Sequence, residues 1–315
     1  MRTILLTLLI AIASFTQAAE NSPTIPELIT QLSDANADRS IAAMAGLRAA
    51  GEPARDALKA CAATASGTAK SRAEILLGVL DTAPFLKQVD DNYKKLSSFE
   101  MDEEHATRVN GVTMKATGHS KINPATHHFI HDSVSEMGAL KLPSRLVCDG
   151  VTMYNEETFP GLGTQVQKSV FKFSFAKYQR NEPSLHLDAC SHMLSEEFDF
   201  TAVREETIDG AACYVVTGVS RPINSQEMKK ANAFTLWPKG PQHTCVARID
   251  KNDLLLRKVE LLNEKNVTLD TITFSNIKCD VTLDESQFAY SPPAGVKIID
   301  ADLEKNPMSA DATAK

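Results

Sequence analysis

The chain has 315 residues, 33 Lys+Arg against 40 Asp+Glu, and a net charge of −7. With 43% apolar and 23% charged residues it can build a real core, which excludes a disordered or collagen-like chain. The acidic balance excludes a nucleic-acid partner, because phosphate binding needs clustered Lys and Arg.

Met1–Ala18 opens with Arg2, continues as an apolar run from Ile4 to Phe15 and ends in Thr16-Gln17-Ala18 before turning polar. The run is shorter than the ~20 residues that span a bilayer as a helix. This layout predicts a cleaved signal peptide and an exported, periplasmic or otherwise extracytoplasmic protein that is soluble once cleaved, with no transmembrane segment in the mature chain. Residues 19–83 are Ala-rich and read as a helical module. Thr24-Ile25-Pro26-Glu27 is a capping box, and Leu28/Leu32, Ile41/Ala45 and Ala54/Leu58 fall at i, i+4. Gly51 offers a helix C-cap and Pro53 a first-turn residue. Ile75, Leu76, Val79 and Leu80 form the stripe of a fourth short helix, which Pro84 interrupts. Leu32–Leu58, with Asp38-Arg39, Ala42-Ala43, Leu47 and Gly51-Glu52, resembles a HEAT-type repeat. That likeness implies a protein-binding module; a helical cap on the neighbouring domain is the other reading.

Residues 84–300 read as a β-rich domain entered by a helix with Phe85, Val89 and Tyr93 on one face. Val112, Met114 and Ala116 alternate with Thr113, Lys115 and Thr117, which predicts a half-buried strand. Further strand runs are Arg145–Cys148, Val151–Tyr154, Val170–Phe175, Ala212–Val219, Thr244–Ile249, Leu254–Leu261, Leu269–Phe274 and Ile277–Val281. Asp149-Gly150, Asp209-Gly210 and Asp250-Lys251-Asn252-Asp253 are turn signals between them. Consecutive short strands joined by tight turns predict one large antiparallel sheet that curls over helices, the second of them at Leu185–Leu194. Residues 301–315 read as a flexible tail.

Asn123-Pro124, Cys148-Asp149-Gly150-Val151-Thr152-Met153-Tyr154-Asn155, Ile249-Asp250, Ile272-Thr273-Phe274-Ser275-Asn276 and the closing Phe288-Ala289-Tyr290-Ser291-Pro292-Pro293-Ala294-Gly295-Val296 occur in that order. In this the region resembles the outer-membrane lipoprotein carrier LolA and its superfamily. The resemblance implies an α+β fold, an incomplete antiparallel β-barrel draped over helices. Its cavity would shelter a lipid or the acyl chains of a lipid-anchored protein. An aromatic-Arg-aromatic strand usual after the Pro is replaced by His127-His128-Phe129, and Glu100–Arg108 is mostly charged.

Phe171, Phe173 and Phe175 alternate with Lys172 and Ser174 and, with Met153 and Tyr154, are the candidate cavity lining. The same face could equally be filled core. His186, Asp188, Cys190 and His192 would share one face of a strand as zinc or copper ligands, whereas a helix pairs only His186 with Cys190. His127 and His131 would share a strand face. Neither cluster matches a named metal motif, so no metal or other cofactor is expected, and pocket-rim or surface histidines fit better. Export favours disulfides among the six cysteines, with Cys213 and Cys245 as first candidates for a bridge. No nucleophile elbow, phosphate loop or His-Glu-x-x-His occurs, so a non-catalytic protein is expected. The functional expectation is an exported carrier of a lipid or acylated protein. A sensor or adaptor whose helical module binds an envelope protein, and a structural protein with a filled core, are the alternatives.

Overall fold

The computed structural model describes residues 23–109, 112–170, 197–208, 210–222 and 243–300. Outside them lie Met1–Ala18, where a signal peptide is expected, Phe171, Phe173, Phe175, His186, Asp188, Cys190, His192, the helix expected at Leu185–Leu194, and residues 301–315. The described residues fall into two compact units, one containing 23–81 and the other containing 82–221 and 243–300, except for residue 222, which groups with the first.

The first unit is helical. Helix α1 spans Ile25–Gln31, α2 Ala37–Ala50 and α3 Arg55–Thr64, the last preceded by a 3-10 turn, Glu52–Ala54. The Thr24 N–H donates to Glu27 Oε2 at 2.7 Å, so the box closes, and the Thr24 hydroxyl donates to the same oxygen at 2.9 Å. Gly51, at φ +64°, ends α2 in the conformation a Cβ disfavours. Leu28, Leu32, Ala54 and Leu58 are buried as their spacing predicts. On α2 the buried stripe is Ser40, Ala43, Met44 and Leu47, and the expected pair Ile41/Ala45 lies off it.

Helix α4 runs unbroken over Gly67–Tyr93 with Pro84 inside it. The sequence predicts two helices there. Proline removes one N–H from the ladder, but the stripes on either side of it both have partners. Leu76 and Leu80 are buried in the first unit, and Val89 and Tyr93 in the second.

The second unit is built on a sheet whose strands are β1 (Phe99–Val109), β2 (Val112–Asn123), β3 (His128–Met137), β4 (Leu140–Asp149), β5 (Thr152–Phe159) and β6 (Gly163–Val170). It continues with β7 (Phe198–Ile208), β8 (Ala211–Ser220), β9 (Thr244–Asp250), β10 (Leu256–Leu262), β11 (Thr268–Cys279) and β12 (Ile298–Asp300). Their spatial order is β12-β6-β5-β4-β3-β2-β1-β11-β10-β9-β8-β7, so the ends do not meet and the sheet is open. All pairings are antiparallel except β12 with β6. The architecture is α+β. The turn signals act as their chemistry dictates: Asp149 Oδ1 accepts the N–H groups of Val151 and Thr152 at 2.9 and 2.7 Å, and Gly150 takes φ +84°.

Three expectations are corrected. The runs Leu269–Phe274 and Ile277–Val281 belong to one strand, β11, because a bulge opposite Met101, with Asn276 at φ +51°, absorbs the break in alternation. Val112 and Met114 alternate but are 54% and 36% exposed, because the outer end of β2 projects beyond the core. Cys213 and Cys245 do not bridge: Cys213 lies opposite Asp250 and Gly218 opposite Cys245, so the two are five positions apart along neighbouring strands. That is far beyond the ~7 Å a disulfide allows. Cys61, Cys148, Cys213, Cys245 and Cys279 are all thiols. Purified protein unfolded without reductant should therefore take at least five alkyl groups from iodoacetamide, counted by intact mass. Fewer than five adducts would contradict the thiol assignment.

Candidate functional site

The sheet has two faces of different chemistry. On the helix face, the one against which Val89 and Tyr93 of α4 pack, cross-strand pairing lines side chains into rows. Phe99, Ile122, Phe129, Cys148 and Met153 form one row from β1 to β5. Ile272, Val259, Ala247, Val216 and Val203 form another from β11 to β7. Phe85 meets Tyr214 in a tilted ring contact at 4.7 Å, and the Tyr93 hydroxyl accepts the Leu256 N–H at 2.6 Å, which fixes the helix end to the sheet.

Two rows on the β1–β5 half interrupt this apolar surface. Met101 and Leu146 share one with Ser120, His131 and Asn155; Glu103, Gly118, Ser133, Ser144 and Glu157 make the next. The Ser120 hydroxyl donates to Glu103 Oε1 at 2.7 Å and lies 2.9 Å from His131 Nδ1. Burial pushes the Glu103 carboxyl up to about 7, opposed by the Ser120 hydrogen bond and the His105 charge, and pushes His131 down. A Cβ at residue 118 would fall 2.6 Å from His131 Cε1, so glycine there is what lets the imidazole lie across β2. Beside this cluster, His105 Nε2 meets Asp270 Oδ1 at 2.6 Å and the Thr107 hydroxyl at 3.0 Å. Ser, His and Glu together suggest a hydrolytic triad, but Ser120 is fully buried and its hydroxyl is held between the other two. The cluster is a polar seam within an apolar face, with nothing presented to a carbonyl carbon.

The opposite face carries a cavity of about 640 Å³ over β1–β5, lined among others by Asp102, His119, Asp132, Arg145, Glu156 and Thr158. His119 Nδ1 lies 2.7 Å from Asp102 Oδ1, and the Asn276 side-chain amide donates to Asp102 Oδ2 at 2.7 Å. These bonds hold the Asp102 carboxyl below its ordinary range. Beside it, Phe288 is buried on Ile130 and Val147 and stacks on His128 at 5.1 Å. Tyr290 stacks on Tyr154 at 4.7 Å and donates to Glu156. The closing Phe-x-Tyr motif thus covers Ile130, Val147, His128 and Tyr154 on the opposite face, beside the cavity.

Of the cavity candidates, Met153 packs on the helix-face core and Tyr154 points to the opposite face, so they do not line one site. Consecutive strand residues cannot share a face. His127 and His131 are not brought together, since His127 precedes β3 with φ +59°, and His128 Nε2 meets the Asp149 carbonyl at 2.9 Å. Among the described residues no group of three His, Cys, Asp or Glu is placed to hold a metal ion. Glu103 and Ser120 escaped the sequence reading. The signal for Glu103 was present: it follows Phe99 and Met101 at period two and therefore faces the core with them.

No family model and no curated protein matches the chain. Solved structures do. The Pseudomonas aeruginosa MucA/MucB complex matches at 16% identity, covering 67% of this chain and 61% of that chain, with a TM-score of 0.38. This chain thus spans about six tenths of the MucB length. Mycobacterium tuberculosis lipoprotein LppX matches at 17% identity over 64% of this chain and 99% of that chain, TM-score 0.36. A putative outer membrane lipoprotein-sorting protein domain from Vibrio parahaemolyticus matches at 12% over 66% and 94%, TM-score 0.29. With every one of these scores below 0.5, the chain is an open-sheet α+β protein that these similarities assign to no family.

Proposed function

We propose that the protein is an exported, non-catalytic carrier that holds a lipid or the acyl chains of a lipid-anchored protein against the helix face of its sheet. The observation that carries this reading is the helix face itself. The apolar rows that α4 covers are buried core, and the open sheet carries the same face beyond them. The same face continues past the polar seam to Met114 and Met137, which stand 36% and 50% exposed. Acyl chains need only apolar area and exclusion of water, at ~25 cal/mol per Å². The seam of Glu103, Ser120 and His131 would meet the polar end of such a ligand.

Native mass spectrometry of the purified chain should show co-purifying lipid, and a fluorescent fatty acid should bind with saturation. The absence of both co-purified lipid and fatty-acid uptake would remove the carrier reading.

A further inference from the structure

Apolar side chains are exposed at one end of the sheet in a pattern that folding does not explain. Val109 pairs with Val112, Thr107 with Asp270, Lys115 with Glu136, and Thr158 with Thr164, so the turns of the hairpins β5–β6, β3–β4, β1–β2 and β10–β11 all lie at the same end. These hairpins are consecutive in the strand order. At ~4.8 Å per strand, their tips stand ~10 Å apart along a rim ~30 Å long.

Seven large apolar side chains stand exposed among the described residues, and five are at this rim: Leu162 (83%), Val112 (54%), Met137 (50%), Val267 (44%) and Met114 (36%). Leu162 closes a tight turn in which its N–H donates to the Phe159 carbonyl at 3.0 Å and Gly161 takes φ +80°. That turn is specified by Pro160 and Gly161, and a polar residue would serve at its last position. The rim also departs from the acidity of the chain. Counted to one residue beyond each turn, the tips carry Arg108, Lys141 and Lys265 against Glu136 and Glu264, a slight basic excess on a protein of net charge −7, with Lys141 paired to Glu136 at 2.6 Å.

We propose that this rim docks the protein onto an anionic lipid bilayer, with Leu162, Met137, Val112 and Val267 entering the interface and the basic residues meeting headgroups. Apolar tips with flanking Lys and Arg are the chemistry of interfacial binding. The tips are separate points along a line. A fluid interface conforms to such points, whereas a protein partner needs about 1,000 Å² or more of matched surface. The proposal goes beyond cargo binding: Leu162 and Val267 lie in turns off the helix face, so they test docking without touching the surface proposed for the ligand.

The test is co-sedimentation of the full chain with vesicles of phosphatidylcholine and phosphatidylglycerol, and with phosphatidylcholine alone. The chain should bind the anionic vesicles, less so at high salt. A Leu162→Asp/Val267→Asp variant should bind about tenfold or more weakly, as loss of two inserting apolar side chains requires. An Arg108→Glu/Lys265→Glu variant should lose the preference for phosphatidylglycerol. The substituted side chains are exposed, so circular-dichroism melting should be unchanged and separates lost docking from lost fold. Equal binding of Leu162→Asp/Val267→Asp and wild type, equal binding to both vesicles, or binding to neither would overturn the proposal; binding to neither would point to a protein contact.

Discussion

Tyr93→Ala is expected to destabilise the sheet unit by about 3–5 kcal/mol, the cost of truncating a large buried aromatic side chain. Tyr93 is 2% exposed, packs with Val89 and Phe99 in the main core and receives the Leu256 N–H on its hydroxyl. Tyr93→Phe separates the two contributions. It keeps the ring and orphans the Leu256 N–H inside the core, which costs about 1–3 kcal/mol. Because the chain has two units, the readout should be local: amide hydrogen exchange along β10 and the neighbouring β9 and β11. Protection there should fall in the order wild type, Tyr93→Phe, Tyr93→Ala. Unchanged protection in Tyr93→Ala would mean that the helix end is not fixed to the sheet as described.

Glu103 should make stability fall as pH rises through the range just below neutrality. Its carboxyl is raised from 4.5 to about 7, chiefly by burial, with Ser120, His131 and His105 beside it and Phe274 opposite on β11. Below about pH 4.5 it is protonated in both the folded and the unfolded chain, and its contribution is complete. Between about pH 4.5 and 7 the unfolded chain releases the proton while the folded chain keeps it. This removes about 3 kcal/mol, at 1.36 kcal/mol for each pH step. Above pH 7 the loss is complete and the slope disappears. Other carboxylates, such as Asp102, act in the opposite sense at lower pH. The measurement is therefore the difference between wild type and Glu103→Gln in urea midpoint at about pH 5 and pH 7.5. The variant should gain on wild type as pH rises, and parallel curves would show that Glu103 titrates normally.

The sequence by itself determined the local structure. Period-two alternation and Asp-Gly turns located most strands, the closed capping box at Thr24 started the first helix, and the Phe85/Val89/Tyr93 stripe identified the face that meets the sheet. These are decided by residues within a turn or two of one another. What only the tertiary structure decided depends on pairing between distant residues. Register put Cys213 and Cys245 five positions apart, although each sits at the start of a strand, and so left them thiols. Pairing merged two runs into β11 through a bulge that breaks the alternation. Packing on both sides of Pro84 carried α4 through a residue whose chemistry argues for a stop. It also placed Glu103 beside Ser120 and His131, although it lies in a strand whose composition reads as exposed. The candidate site is legible only at that level, because a face is a property of neighbouring strands, and the alignment of their rows is set by contacts between residues far apart in the chain.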